Sequence, residues 1–269
     1  MKGIGSYFTG LFLSVLCLTS CLKGSNVRDD YACGVLAYSS KDYITPVMKT
    51  SMGDFSAPNL MALLNYPDMG DCFVFFFRLD YDLPENTPSA VEVNGYHTFS
   101  ILNYAPIKKI YLNPFLTDIN TMLPNEVPVL NGYNSGEYVN NHLFISQTVQ
   151  QPSDLDLNWE MSYDESNMPT VEESSGKRYF DLYIRATVRR EGEQTSKTEV
   201  QHLNAYHVGN YLSVAANMEK TNLGSAYNAS TSKFYLRFNY VTRIDEETNA
   251  VTWQNFTEEI YIASFTMDQ

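Results

Sequence analysis

The 269-residue chain is short of basic side chains, of cysteine and of long apolar runs, and each shortage closes off a class of function. Lys and Arg number 18 against 31 Asp and Glu, a formal charge of −13. A nucleic-acid binder needs clustered cations to displace the counterions of the phosphate backbone, and no such cluster is present. No apolar run approaches the ~18 residues of a membrane-spanning helix. The spacings of a phosphate-binding Gly-rich loop, a nucleophile elbow and a zinc-binding His-Glu-x-x-His helix are all missing. What is abundant is aromatic: 20 Tyr and 15 Phe suit the half-buried, pleated surface of a strand. At 44% hydrophobic and 18% charged residues, the chain can bury a sizeable core.

Residues 1–20 read as a signal peptide. A single Lys2 precedes an apolar stretch from Tyr7 to Leu18, too short for the ~20 residues that a bilayer of roughly 30 Å requires. Leu18-Thr19-Ser20-Cys21 then resembles the lipobox of bacterial lipoproteins. In that family the cysteine is lipidated on sulfur, the bond before it is cut, and the new amino group is acylated. The resemblance makes Cys21 the first mature residue, carrying palmitate-type chains that anchor it to the membrane. Each buried methylene contributes about 0.8 kcal/mol, so several chains hold durably where one holds marginally. Leu22 stands where an Asp retains enterobacterial lipoproteins at the inner membrane. Residues 21–31 read as a polar tether, and the expected location is the outer membrane, on its periplasmic or extracellular face.

Cys17 leaves with the signal and Cys21 is spent on lipid, so Cys33 and Cys72 remain in an oxidising compartment. An even remainder there invites a disulfide. Closing a loop of about 40 residues would stabilise the fold by roughly 4 kcal/mol in the chain-entropy model. The bridge is easy if Cys33-Gly34-Val35-Leu36 and Cys72-Phe73-Val74-Phe75 are neighbouring strands. The alternative is two buried free thiols acting as small hydrophobes.

Period-two alternation dominates the mature chain. Residues 71–83 place Phe73, Phe75, Phe77, Leu79, Tyr81 and Leu83 on one parity, opposite Cys72, Val74, Phe76, Arg78, Asp80 and Asp82. That pattern predicts a strand buried on both faces at its start and on one face at its end. Residues 179–188 and 234–244 alternate as cleanly, and the latter forms a hairpin with 251–265 across Asp245-Glu246-Glu247-Thr248-Asn249. Helical signals are thin: two turns over 57–65 and a short helix over 114–123. Pro, Gly, Asn and Ser concentrate over 124–137, where a domain boundary is expected. The fold class is mainly β. A small OB-like barrel over 32–130 precedes an antiparallel β-sandwich over 137–269.

The lipobox, Tyr138-Val139-Asn140-Asn141-His142-Leu143-Phe144-Ile145, Tyr179–Val188 and the Phe234–Phe265 hairpin together resemble the NigD-like lipoproteins of Bacteroidetes. The resemblance implies a barrel-like N-terminal half, a sandwich C-terminal half and no established enzymatic activity.

Few residues carry candidate chemistry. Asp154, Asp156, Asn158 and Glu165 have the spacing of a calcium loop. Yet Trp159 stands where the sharp turn needs Gly, and Leu155, Leu157, Trp159, Met161 and Tyr163 alternate as a strand does. His97, His142, His202 and His207 have no clustered ligand partners, so no metal or other cofactor is expected. A glycosidase needs only two carboxylates, and none of the 31 acids singles itself out. Trp159, Trp253 and the tyrosines could stack on sugar rings, although aromatics also pack cross-strand in β-proteins. The expected protein is a non-enzymatic, lipid-anchored envelope protein with a protein or glycan partner and no nucleic acid. A glycan-binding lipoprotein of polysaccharide uptake and a strand-donating fimbrial subunit are the alternatives.

Overall fold

The computed structural model describes residues 26–116, 118–152, 155–190 and 196–265. The signal peptide, the lipobox and Cys21 lie outside the described residues. The expected barrel is built from β1 (Val27–Tyr38), β2 (Pro46–Thr50), β3 (Gly53–Ser56), β4 (Cys72–Asp80), β5 (His97–Thr98) and β6 (Ser100–Asn113).

 Its connections carry the short helices α1 (Leu60–Leu63) and α2 (Pro88–Asn94). Strand β1 pairs antiparallel with β2 on one side and β4 on the other, and β4 pairs with β6. Strand β5 lies parallel to β3, and only Phe99 separates it from β6. One stretch of chain thus touches both edges of the sheet, which curls it into a small barrel. The tether expected over 21–31 ends sooner than its polarity suggests, because Val27–Tyr31 already pair with Asp80–Phe76. Arg28, Asp29 and Asp30 are polar because this part of β1 forms an exposed outer wall, where Arg78 holds Asp29 through two hydrogen bonds of 2.7 Å.

The two faces of the barrel wall have different partners. Phe73, Phe75, Phe77 and Leu79 point inward with Leu36, Met48, Phe55 and Phe99, as the alternation over 71–83 predicts. Gly34 also faces inward, where an added Cβ would lie 2.8 Å from Phe75 Cε1 and 3.1 Å from the Lys49 carbonyl. On the opposite face, Cys33, Val35, Cys72 and Ile107 pack against Val139, Phe144 and Ala205 of the C-terminal half.

That half contains β7 (Val129–Val139), β8 (His142–Pro152), β9 (Asp156–Ser162), β10 (Thr170–Val171), β11 (Arg178–Arg190), β12 (Lys197–His207), α3 (Gly209–Leu223), β13 (Lys233–Asp245) and β14 (Ala250–Tyr261). One layer runs β7-β8-β12 and the other β9-β11-β13-β14. Between them lie Leu143, Ile145, Leu157, Trp159, Met161, Phe180, Leu182, Ile184 and Phe238. Strand β8 is therefore covered on both sides, Leu143 and Ile145 by the sandwich core and Phe144 by the barrel. The sandwich is not wholly antiparallel: β11 runs parallel to β13, because the connection between them crosses over through β12 and α3. Tyr211, Leu212, Ala215 and Ala216 give α3 its buried face.

Strand β6 belongs to both halves. It pairs with β4 as far as Ile107, with β12 from Lys108 to Tyr111, and with β9 at Leu112 and Asn113. The boundary expected at 124–137 falls on β7 and the turns leading to it, after β6 has already joined the modules. The expected helix over 57–65 shrinks to one turn, because Asn59, Asn65 and Tyr66 adopt left-handed backbone around it. The short helix expected over 114–123 is absent from the described residues of that stretch. Among the described residues, no helix is long and apolar enough to cross a membrane.

Cys33 and Cys72 do sit on neighbouring strands, and the structure holds both as buried free thiols. The register explains why. Cys33 faces Val74 and Cys72 faces Val35, so the two cysteines stand on a diagonal of the ladder. Diagonal neighbours lie about 7–8 Å apart, whereas a disulfide needs Cβ atoms about 3.8 Å apart. Burial pushes both thiols up, Cys72 to about 12. The folded chain from residue 22 onward should therefore resist maleimide at pH 8, and the denatured chain should take two labels without reductant. Labels that appear only after reduction would establish the bridge instead.

Candidate functional site

A recess lies at the far end of β6, between the turns at 114–121 and the segment 164–170. Its outer part is an open groove of about 700 Å³ lined by Pro114, Phe115, Leu116, Asp118, Ile119, Asp164, Glu165 and Ser166. It deepens into a pocket of about 90 Å³ bounded by Met168, Thr170, Asp181 and Tyr183. Phe115 is 77% exposed at the rim. No Lys or Arg lines either part, whereas Asp118, Asp164, Glu165 and Asp181 do.

Side chains from the sandwich hold the groove wall in place. Arg185 donates from Nη1 to the Asp118 carbonyl at 3.3 Å and from Nη2 to the Thr121 carbonyl at 2.8 Å. Trp253 donates its indole N–H to the Ile119 carbonyl at 2.7 Å. The bonds to the Asp118 and Ile119 carbonyls claim acceptors that a helix over 114–123 would offer to the Met122 and Leu123 amides, which favours turns over that helix. Asp118 secures the turn from within, accepting from the Asn120 amide at 2.9 Å and the Thr121 hydroxyl at 2.7 Å. Those bonds hold its carboxyl below the usual carboxylate range.

Arg185 is itself buried, and its Nε lies 3.0 Å from Oε1 of buried Glu126. Oε2 of Glu126 accepts the Leu123 amide at 2.8 Å, while burial pushes the carboxyl upward. The guanidinium also lies 5.2 Å from the Trp253 ring, whose edge meets Tyr183 at 5.4 Å. At the pocket floor, Asp181 receives Nε and Nη2 of Arg237 at 2.6 and 2.8 Å, and Nδ2 of Asn239 at 2.9 Å. Its carboxylate is thereby committed to the fold. Burial, then the charge of Asp181, pushes the Tyr183 phenol up.

The residues singled out in the sequence lie elsewhere, apart from Glu165, which lines the groove, and Trp253, which holds its wall. Trp159 is buried in the sandwich core, and Trp253 is half-buried against Tyr183 and Arg185. Cys33 and Cys72 lie between the two halves. Asp154 falls outside the described residues, and Asp156 and Asn158 lie on β9 as the alternation predicts. His142 and His207 meet across β8 and β12 with ring centroids 4.9 Å apart. His202 accepts or donates at 3.3 Å with Gln151 and packs 5.4 Å from Trp159. His97 lies in the barrel, 5.8 Å from Phe55. Among the described residues, no three His, Cys, Asp or Glu are grouped to hold a metal ion. Sequence reading missed the groove itself; the exposed Phe115, with Asp118 three residues on, was its only local sign.

Residues 24–105 match the family described as Lipoprotein OB domain. No curated protein matches the chain. Among solved structures, an uncharacterized protein from Parabacteroides merdae ATCC 43184 is 20% identical, with 87% of this chain and 99% of that one covered and a TM-score of 0.69. A protein described as a candidate lipoprotein from Bacteroides fragilis NCTC 9343 is 11% identical, with 90% and 100% covered and a TM-score of 0.50. A NigD-like immunity protein from Bacteroides caccae ATCC 43185 is 10% identical, with 86% and 96% covered and a TM-score of 0.43. The N-terminal OB-type domain expected from the sequence is matched by that lipoprotein family model, and the mainly β fold is shared with the Parabacteroides merdae protein.

Two outcomes follow from the wall. Arg185→Ala leaves Glu126 buried without its cation and should cost about 3–5 kcal/mol in a urea melt. The same variant should speed hydrogen exchange at Met122, whose amide donates to the Asn249 carbonyl at 2.9 Å. His202 gives a pH signature, since burial and then Lys108 push its imidazole down to about 4. Its folded value lies below its unfolded one, so its contribution is complete above about pH 6.5 and lost as pH falls toward 4. Across that window the parent chain should lose up to about 3 kcal/mol more than His202→Gln, measured by denaturant melts at each pH.

Proposed function

We propose that this is a non-enzymatic lipoprotein, anchored in the outer membrane through acylated Cys21, that binds a protein or peptide partner in the groove between 114–121 and 164–170. The observation that carries the reading is a groove wall immobilised by the buried Arg185 and by Trp253 while it presents Phe115 to solvent. Ordering a loop before a ligand arrives lowers the entropic cost of binding. The lining selects the partner's chemistry. An apolar side chain fits beside Phe115, Leu116 and Ile119, and a cation fits beside Asp118, Asp164 and Glu165. The −13 charge of the whole chain supports the same preference by steering cations inward.

A glycan-binding role has less support from the geometry. Stacking on a sugar needs a flat, accessible ring, and Trp159 and Trp253 are both engaged within the fold. A strand-donating subunit needs a terminal strand ready to exchange, whereas β14 is paired with β13 along its length.

The test is a titration of the purified mature protein, followed by amide chemical shifts, with short peptides that pair Phe or Leu with Arg or Lys. Acidic peptides and neutral oligosaccharides serve as comparisons. Basic peptides should shift residues of the groove, and Phe115→Ser and Asp164→Asn should each weaken binding by about tenfold, ~1.4 kcal/mol. Undiminished binding in both variants would place the site elsewhere. Shifts produced by oligosaccharides alone would favour the glycan role.

A further inference from the structure

We infer that the pole of the barrel around the tether's exit is a seat for the lipid surface that carries the anchor. The inference rests on acylation of Cys21, as proposed above. From Cys21 to Asn26 the chain has five peptide steps, which span at most about 18 Å. Asn26 is fixed to the barrel: its carbonyl accepts the Tyr81 amide at 2.9 Å, and its Nδ2 donates to Asp82 at 2.6 Å. The start of the β4–β5 connection is therefore held within that distance of the lipid.

This same region exposes apolar side chains. Val27 is 36% exposed, Tyr81 44%, Leu83 39% and Val93, on α2, 75%. The connection is firmly held, because Asn86 is buried and bonds the Asp80 carbonyl, the Thr98 carbonyl and the Thr98 amide at 2.7–2.8 Å. Its charge is mostly acidic, since the nearby cations are Arg28, paired with Asp30, and Lys41, which lies against Gly95 at the end of α2. Residues 79–107 contain no Lys or Arg, while Asp80, Asp82, Glu85 and Glu92 all fall within them. A surface of this kind suits apolar and aromatic contact with electrically neutral headgroups and opposes anionic ones. The seat is thus a neutral lipid face, and attraction to anionic lipid plays no part in it.

The test uses the full acylated protein in phosphatidylcholine vesicles containing a nitroxide-headgroup lipid. A fluorophore is placed at Ser89→Cys, near the pole, or at Glu246→Cys, in the β13–β14 turn; buried Cys33 and Cys72 stay unlabelled. Flotation reports anchoring separately from orientation. The dye at position 89 should lose intensity and the dye at position 246 should not. Adding Leu83→Asp with Val93→Asp should restore the signal at position 89 while flotation persists, as should replacing part of the phosphatidylcholine by phosphatidylglycerol. Floating protein with no loss at position 89, or equal loss at both positions, overturns the seat. Failure to float overturns the anchor, and the seat with it.

Discussion

Backbone hydrogen-bonding groups buried in a protein must be paired, and β6 meets that requirement with three different partners along its 14 residues. The barrel cannot be detached from the sandwich without stripping one of these ladders. The two halves are therefore joined by a continuous strand as well as by the apolar layer of Cys33, Val35, Cys72, Ile107, Val139, Phe144 and Ala205. The position of β8 follows from the same constraint, since it is buried on both faces between barrel and sandwich. Because β6 ends at Asn113, the turns of the groove wall begin directly from it.

The groove also shows how buried charge is used in this fold. The Glu126–Arg185 pair is almost fully sequestered, an arrangement whose desolvation cost limits its value as a source of stability. Its geometric role is clearer. Arg185 delivers two hydrogen bonds to an irregular segment that cannot satisfy its own carbonyls. Asp181 and Arg237 do similar work below the pocket, with Asn239 completing the set. The acids that remain toward solvent are those at the mouth, Asp118, Asp164 and Glu165.

Much of the sheet structure was legible because a strand's period is two and a core imposes it. Residues 71–83, 179–188 and 234–244 show it without ambiguity, and the false calcium loop was recognisable by the same alternation through Trp159. Helix α3 was harder to see. Its buried face is built largely of Tyr211, Leu212, Ala215 and Ala216, in which small side chains dilute the apolar signal. The parallel pairing of β11 with β13 and the diagonal placement of the two cysteines depend on topology and register, which local patterning does not encode. The groove was invisible for a related reason: Ile119 is secured by Trp253, 134 residues away, and Thr121 by Arg185, 64 residues away.

Strand β1 is flanked by β4 over nine paired positions and by β2 over four. Tension on the amino terminus would act first on Val27–Gly34, which ladder with β4 alone, and then on Val35–Tyr38, which pair with β2. The ladder bonds lie across the strand axis, so those of each ladder are loaded together in shear and cannot be unzipped one at a time. If the chain is anchored through Cys21 as proposed, this geometry suits it to withstand drag without unravelling from its attachment.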